Sequence, residues 1–165
     1  MDLLGGALAA FVAAALLVLT PAPLRWRALQ YAAVYAAVTG PLSVVAPVFT
    51  HWLRQGLADT SQVVPTLEDA ARGLVGFVLL RGGVALLEGL LIARVLAVLP
   101  SRPVVVALAC AAAILAEVLL RLDDILTVAR MFPLLAVADL LAPEVAPALL
   151  GAAATALWAT RSRDA

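Results

Sequence analysis

The sequence is poor in the residues that most metalloproteins and redox proteins use. Its 165 residues include one cysteine, Cys110, and one histidine, His51. A lone cysteine excludes an internal disulfide framework and a Cys-x-x-Cys metal or redox pair. One histidine and one cysteine also fall short of the four ligands of a structural zinc site. We therefore expect neither a metal site nor a cofactor.

Charge is also scarce, and it is evenly divided between the two signs. Charged residues make up 13% of the chain, against about 25% in a typical soluble domain. There is no lysine, and eleven arginines balance eleven acidic residues. A nucleic-acid-binding protein needs a clustered basic excess, so the composition excludes nucleic acid as a partner.

Apolar residues take the place of the missing charge. They make up 65% of the chain, and the mean hydropathy is +1.09, whereas a soluble domain is about 45–50% apolar. A bilayer core about 30 Å thick requires about 20 apolar residues per crossing helix. The composition therefore predicts an all-α, polytopic transmembrane bundle in the cell membrane, with the lipid bilayer as its main partner.

Five apolar segments are predicted to be transmembrane spans. They cover residues 3–20, 28–49, 74–99, 104–120 and 144–160. The first segment differs from a signal peptide because its basic flank, Arg25 and Arg27, follows the apolar run instead of preceding it. We therefore interpret this first segment as a retained helix.

Prolines, glycines and polar residues predict where these helices end or break. Pro41 and Pro47 predict a kinked second span, and residues 50–66 are polar enough to form a loop. The third segment either protrudes from the membrane or breaks at Gly82-Gly83. Pro143 predicts the start of the last span, because proline is favoured in the first turn of a helix. A separate short helix is expected before it, over 134–141.

The placement of arginines predicts the orientation of the bundle. Cytoplasmic loops carry an excess of basic residues, and tryptophans collect at membrane boundaries. With five spans and the N-terminus outside, the cytoplasmic ends hold Arg25, Arg27, Arg102, Arg161 and Arg163. Trp26, Trp52 and Trp158 then all lie at predicted boundaries. This places the C-terminus in the cytoplasm, although four or six crossings stay open as alternatives.

Ionisable residues inside the predicted spans are the candidates for function. Each costs roughly 2.5–3.5 kcal/mol at the centre of a membrane helix on insertion scales. Arg81 and Glu88 share one helix face but lie two turns apart, so each is expected to meet another helix. Glu117, Arg121 and Asp124 have ion-pair spacing and are predicted to stack on one face.

These residues are predicted to line one polar cavity that opens to the outer face. The candidate catalytic residues are Glu88, Glu117 and Asp124, and the candidate substrate-binding residues are Arg81, Arg121, Arg130 and Asp139. A carboxyl group in such a setting can carry a proton for transport or act as a general acid. The alternative is that the acids and arginines only neutralise one another and set the helix register.

Two functions from different classes follow from this reasoning. The first is a transport-class protein or a subunit of a membrane complex, homo-oligomeric or with a partner. It would bind a proton, a cation or a small lipophilic molecule. The second is an intramembrane acid–base enzyme, such as an isomerase or cyclase, that acts on a lipophilic substrate. In that enzyme Glu88 is the acid, and Glu117 or Asp124 beside Arg121 is the base.

Overall fold

The protein is helical throughout the part that the structure describes. The computed structural model describes residues 3–55, 67–99, 101–131 and 134–164, and these form six helices and no strand. The helices are α1 (Leu3–Val18), α2 (Ala22–Gln55), α3 (Leu67–Val98), α4 (Arg102–Leu120), α5 (Leu122–Met131) and α6 (Leu134–Asp164). The all-α prediction is confirmed for these residues. Most of the predicted loop, residues 56–66, lies outside the described part.

Three helices contain segments long and apolar enough to cross a membrane. These segments are Val75–Val98 in α3, Arg102–Leu120 in α4 and Leu141–Ser162 in α6. They coincide with the third, fourth and fifth predicted spans. The first predicted span contains a shorter apolar helix, Ala7–Val18. The second predicted span lies in α2, whose 34 residues extend over about 50 Å. None of the three long apolar segments lies in α2.

Four helices enclose a common core, and α1 packs against it through α3. Extensive contacts join α2 to α3, α2 to α6 and α4 to α6, while a smaller contact joins α3 to α4. The core contains Tyr35, Ile92, Val105 and a series of alanines that includes Ala113 and Ala152. Small side chains let these helices approach closely, as is common in membrane bundles.

Two glycines of α3 mark close approaches between helix backbones. A Cβ atom added at Gly89 would lie 2.3 Å from the carbonyl oxygen of Ala28 in α2. A Cβ atom added at Gly83 would lie 2.9 Å from the backbone nitrogen of Ala10 in α1. Neither distance leaves room for a side chain, so glycine at these positions permits the observed packing of α3 against both neighbours.

Two helices continue through residues at which the sequence allowed a break or a start. Helix α3 continues through Gly82-Gly83, whereas the passage of α2 through Pro41 and Pro47 agrees with the single second span predicted there. The prediction that a helix begins at Pro143 is wrong, because Pro143 and Pro147 both lie inside α6. A proline removes one backbone donor from a helix, but flanking turns packed in a bundle keep the chain helical on both sides.

The helix that contains Glu117, in contrast, ends before it reaches Asp124. Arg121 adopts φ −114° and ψ 15°, and its backbone N–H donates to the carbonyl of Val118, which ends α4. Helix α5 then begins at Leu122. Asp124 therefore lies on a separate helix from Glu117, and the predicted stack of Glu117, Arg121 and Asp124 on one helix face is wrong.

Candidate functional site

Three helices bring four charged side chains together at one end of the bundle. Arg81 lies near the start of the apolar segment of α3, and Glu144 lies near the start of the apolar segment of α6. Glu117 lies in the last turn of α4, and Arg121 is the residue that ends this helix. Since α4 runs antiparallel to α3 and α6, these four positions meet at the same level.

The four side chains form one ion-pair network in which the signs alternate. Nη1 of Arg81 donates to Oε1 of Glu117, and Nη2 of Arg81 donates to Oε2 of Glu144 at 2.5 Å. Oε1 of Glu144 lies 2.8 Å from Nη2 of Arg121. The order is Glu117, Arg81, Glu144, Arg121, so the charges of the network balance.

Burial of the network increases from Arg121 towards Glu117. The side chains of Arg121 and Glu144 are 18% and 14% exposed, whereas those of Arg81 and Glu117 are 9% and 1% exposed. The guanidinium carbon of Arg81 also lies 5.7 Å from the centre of the Phe77 ring, within cation–π range. As predicted, Arg81 pairs with other helices, which here are α4 and α6.

Glu88 lies in the interior of the bundle, two turns beyond Arg81 on α3. It is 4% exposed, and its Oε1 atom is buried with no hydrogen-bond partner among the described residues. The hydroxyl of Tyr35 on α2 is also buried and has no partner in this part of the chain. Tyr35 lies close enough to Glu88, Glu117 and Arg81 to interact with them electrostatically.

The sequence analysis did not identify Tyr35. Helix α2 carries Tyr31, Tyr35, Thr39 and Ser43 at intervals of four residues, and all four are buried. The hydroxyls of Thr39 and Ser43 donate to the carbonyls of Tyr35 and Thr39, at 2.8 Å and 2.7 Å. Residues four apart lie on one face of a helix. This repeat of hydroxyl-bearing residues in an apolar helix is the sequence signal that could have identified Tyr35.

The remaining predicted site residues do not join the network. Asp124 and Arg130 are exposed on α5. The side chain of Asp139 lies outside the described part of the chain, as does that of Trp52. Glu144, which the predicted site lacked, bonds to both arginines of the network. Glu144 follows a proline, and an acid at such a position often stabilises the start of a helix. The sequence pattern therefore indicated a structural role for Glu144 and not a place in the site.

The site offers carboxyl, hydroxyl and guanidinium groups. In the described ranges no group of three or more histidine, cysteine, aspartate or glutamate residues is placed to hold a metal ion. The carboxylates of Glu117 and Glu144 accept bonds from arginines, whereas Oε1 of Glu88 is left to accept a proton or a cation.

The chain matches no protein-family model, no curated protein sequence and no solved structure.

Proposed function

We propose that the chain is a small integral membrane protein of the transport class, acting as an oligomer or as a subunit of a membrane complex. In this proposal Glu88 binds a proton, a cation or the cationic group of a small lipophilic molecule. The observation that supports it is the buried Oε1 atom of Glu88, which has no hydrogen-bond partner in the described chain. A buried carboxylate is costly unless its charge is compensated, so this position favours a bound proton or cation.

We further propose five crossings, with the N-terminus outside and the C-terminus in the cytoplasm. The distribution of arginines supports this orientation. Helices α1, α3 and α6 finish, and α2 and α4 begin, at one end of the bundle, which we call the arginine end. The described side chains near these helix ends include Arg25, Arg27, Arg102 and Arg161 and no acid. Arginine-rich ends face the cytoplasm, so the ion-pair network would face outwards.

The ion-pair network has two roles in this proposal. It holds α3, α4 and α6 in register, and it lies between Glu88 and the outer end of the bundle. Arg81 and Glu88 are seven residues apart on α3, which corresponds to about 10 Å along the helix. A proton or cation that reaches Glu88 from outside would therefore pass the guanidinium of Arg81.

Flux measurements on the reconstituted full chain test the role of Glu88. In proteoliposomes containing a pH-sensitive dye, or loaded with sodium, we expect an imposed gradient to drive proton or cation flux. Glu88→Gln should reduce this flux at least tenfold, because the amide has nearly the shape of the acid but cannot exchange a proton. Asp124→Asn, which changes an exposed acid, is the matched control and should retain the flux. Equal flux in the Glu88→Gln variant and the unmodified protein would refute the proposal.

The difference between Glu88 and Glu117 supports a second candidate, an intramembrane acid–base enzyme acting on a lipophilic substrate. Glu117 is paired with Arg81, whereas Oε1 of Glu88 has no partner in the described chain. Two carboxyl groups in such different environments can divide the acid and base roles. A general acid contributes roughly 10²–10⁴-fold to a rate.

A comparison of metabolites discriminates between the two candidates. Lipid-soluble metabolites would be compared between cells with and without the chain, together with their internal pH and sodium content. Accumulation of a lipophilic precursor would support the enzyme. Unchanged metabolites together with altered internal pH or sodium would support the transport-class protein.

A further inference from the structure

A polar cavity lies at the arginine end of the bundle, away from the ion-pair network. Its volume is about 380 Å³, and it lies between α2, α3 and α6. Its lining residues are Arg27, Gln30, Tyr31, Leu96, Trp158 and Ser162. The role proposed above for Glu88 uses none of these residues, and Arg27 has supported only the orientation of the bundle.

The polar groups of this cavity favour an anion. Arg27 and Gln30 lie three residues apart on α2, so their side chains lie on the same face of the helix. Both side chains supply N–H donors, and the described lining includes one cation and no acid. Ser162 donates its hydroxyl hydrogen to the carbonyl of Ala159 at 3.0 Å. The lining residues that can donate to an anion include Arg27, Gln30 and the indole N–H of Trp158. Arg27 is the charged one, and arginine matches phosphate oxygens in geometry and charge.

The rest of the lining is apolar and typical of a membrane boundary. The rings of Tyr31 and Trp158 meet edge to face, with centroids 5.9 Å apart and planes at 82°. Trp158 is 43% exposed and Tyr31 is 6% exposed, so this aromatic pair has one buried and one accessible member. Tryptophan is enriched at the level of lipid headgroups. Leu96 adds an apolar wall from α3.

We propose that this cavity binds the phosphate of an anionic phospholipid headgroup. Arg27 and Gln30 donate to the phosphate oxygens, and Leu96 and Trp158 contact the glycerol region and the first carbons of the acyl chains. Basic pockets between membrane helices on the cytoplasmic side bind anionic headgroups in this way. A lipid fits better than a soluble phosphate because the site joins its polar donors to an apolar, partly exposed wall.

Native mass spectrometry of the full chain in detergent tests this proposal. The probes are phosphatidylglycerol, phosphatidylcholine and inorganic phosphate, each titrated separately and in competition. We expect phosphatidylglycerol to bind at least tenfold more tightly than phosphatidylcholine. Arg27→Gln should weaken phosphatidylglycerol binding by about tenfold, since it removes a hydrogen bond between charged groups. Arg27→Lys should weaken it less, because the charge remains.

Matched variants distinguish a specific site from general surface charge. Arg161→Gln removes an exposed arginine of the same end that is not among the lining residues, and it should retain binding. The proposal is overturned if Arg27→Gln binds phosphatidylglycerol normally or if Arg161→Gln weakens binding equally. Displacement of the lipid by inorganic phosphate would also overturn it, because the site would then belong to a soluble anion. Glu88→Gln should bind the lipid normally, so failure of this proposal and failure of the proposed function are distinguishable.

Discussion

Arg81 and Glu117 lie 36 residues apart in the chain and form an ion pair whose side chains are 9% and 1% exposed. This pair joins α3 to the last turn of α4. The second bond of Arg81, to Glu144, joins the same guanidinium to α6. One side chain therefore connects three helices at the same level, and its removal is expected to affect all three.

Arg81→Gln is predicted to destabilise the bundle strongly. It leaves Glu117 buried without a cation, which costs about 3–5 kcal/mol. Glu144→Gln should cost less, because Arg81 keeps Glu117 and the released Arg121 is partly exposed. Unfolding of the two variants in detergent micelles measures this order. Arg130→Gln, an exposed change, should stay within about 0.5 kcal/mol of the unmodified protein.

Replacement of both partners is predicted to restore much of the lost stability. Arg81→Met combined with Glu117→Leu removes the buried pair and leaves Glu144 bonded to Arg121. Apolar residues of similar size in place of a buried ion pair are often neutral or stabilising. If the double variant is less stable than Arg81→Gln alone in the same unfolding experiment, the buried charge is not the cause of the loss.

Two glycines of α3, Gly89 and Gly82, should respond differently to replacement by alanine. Gly89→Ala would bring a methyl group against the backbone carbonyl of Ala28, which cannot move without shifting α2. We expect it to lower the free energy of unfolding by about 1–3 kcal/mol. Gly82→Ala meets nothing within 4 Å and should be neutral or stabilise by up to about 1 kcal/mol through helix propensity. Equal effects would mean that α2 and α3 do not approach closely at Gly89.

Tyr35→Phe is predicted to leave the free energy of unfolding unchanged or to raise it. The hydroxyl of Tyr35 is buried with no partner in the described chain, and a buried unsatisfied group costs about 1–3 kcal/mol. Tyr35→Ala, which also removes the ring from a fully buried site, should cost about 3–5 kcal/mol. A clear loss of stability in Tyr35→Phe would show that the hydroxyl has a partner.

Arg25→Gln is predicted to loosen the last turn of α1. Nη2 of Arg25 donates to the carbonyls of Val18 and Thr20, at 2.8 Å and 3.0 Å. Val18 is the last residue of α1 and Thr20 lies just beyond it, and the last carbonyls of a helix have no donor within that helix. Because the site is partly exposed, we expect a cost of about 1 kcal/mol. Hydrogen–deuterium exchange should rise around residues 15–20, and Arg161→Gln should not reproduce this rise.

The amino-acid sequence by itself determined the helical class and the three long apolar segments. Both depend on composition and local periodicity, which are properties of consecutive residues. It also indicated that Arg81 and Glu88 would not pair with each other, because the geometry of one helix sets their separation. Helix ends at prolines were predicted less well, since packing in the bundle keeps the chain helical through Pro143 and Pro147.

Tertiary structure alone decided which charges meet. The positions of Arg81, Glu117, Glu144 and Arg121 in the chain carry no information about the relative heights of α3, α4 and α6. Those heights follow from the packing of glycines and alanines along the helices, which occurs between elements and not within them. The same packing places Tyr35 of α2 in the electrostatic environment of Glu88 and Arg81. Local sequence therefore determined the helices, and contacts between distant residues determined the site.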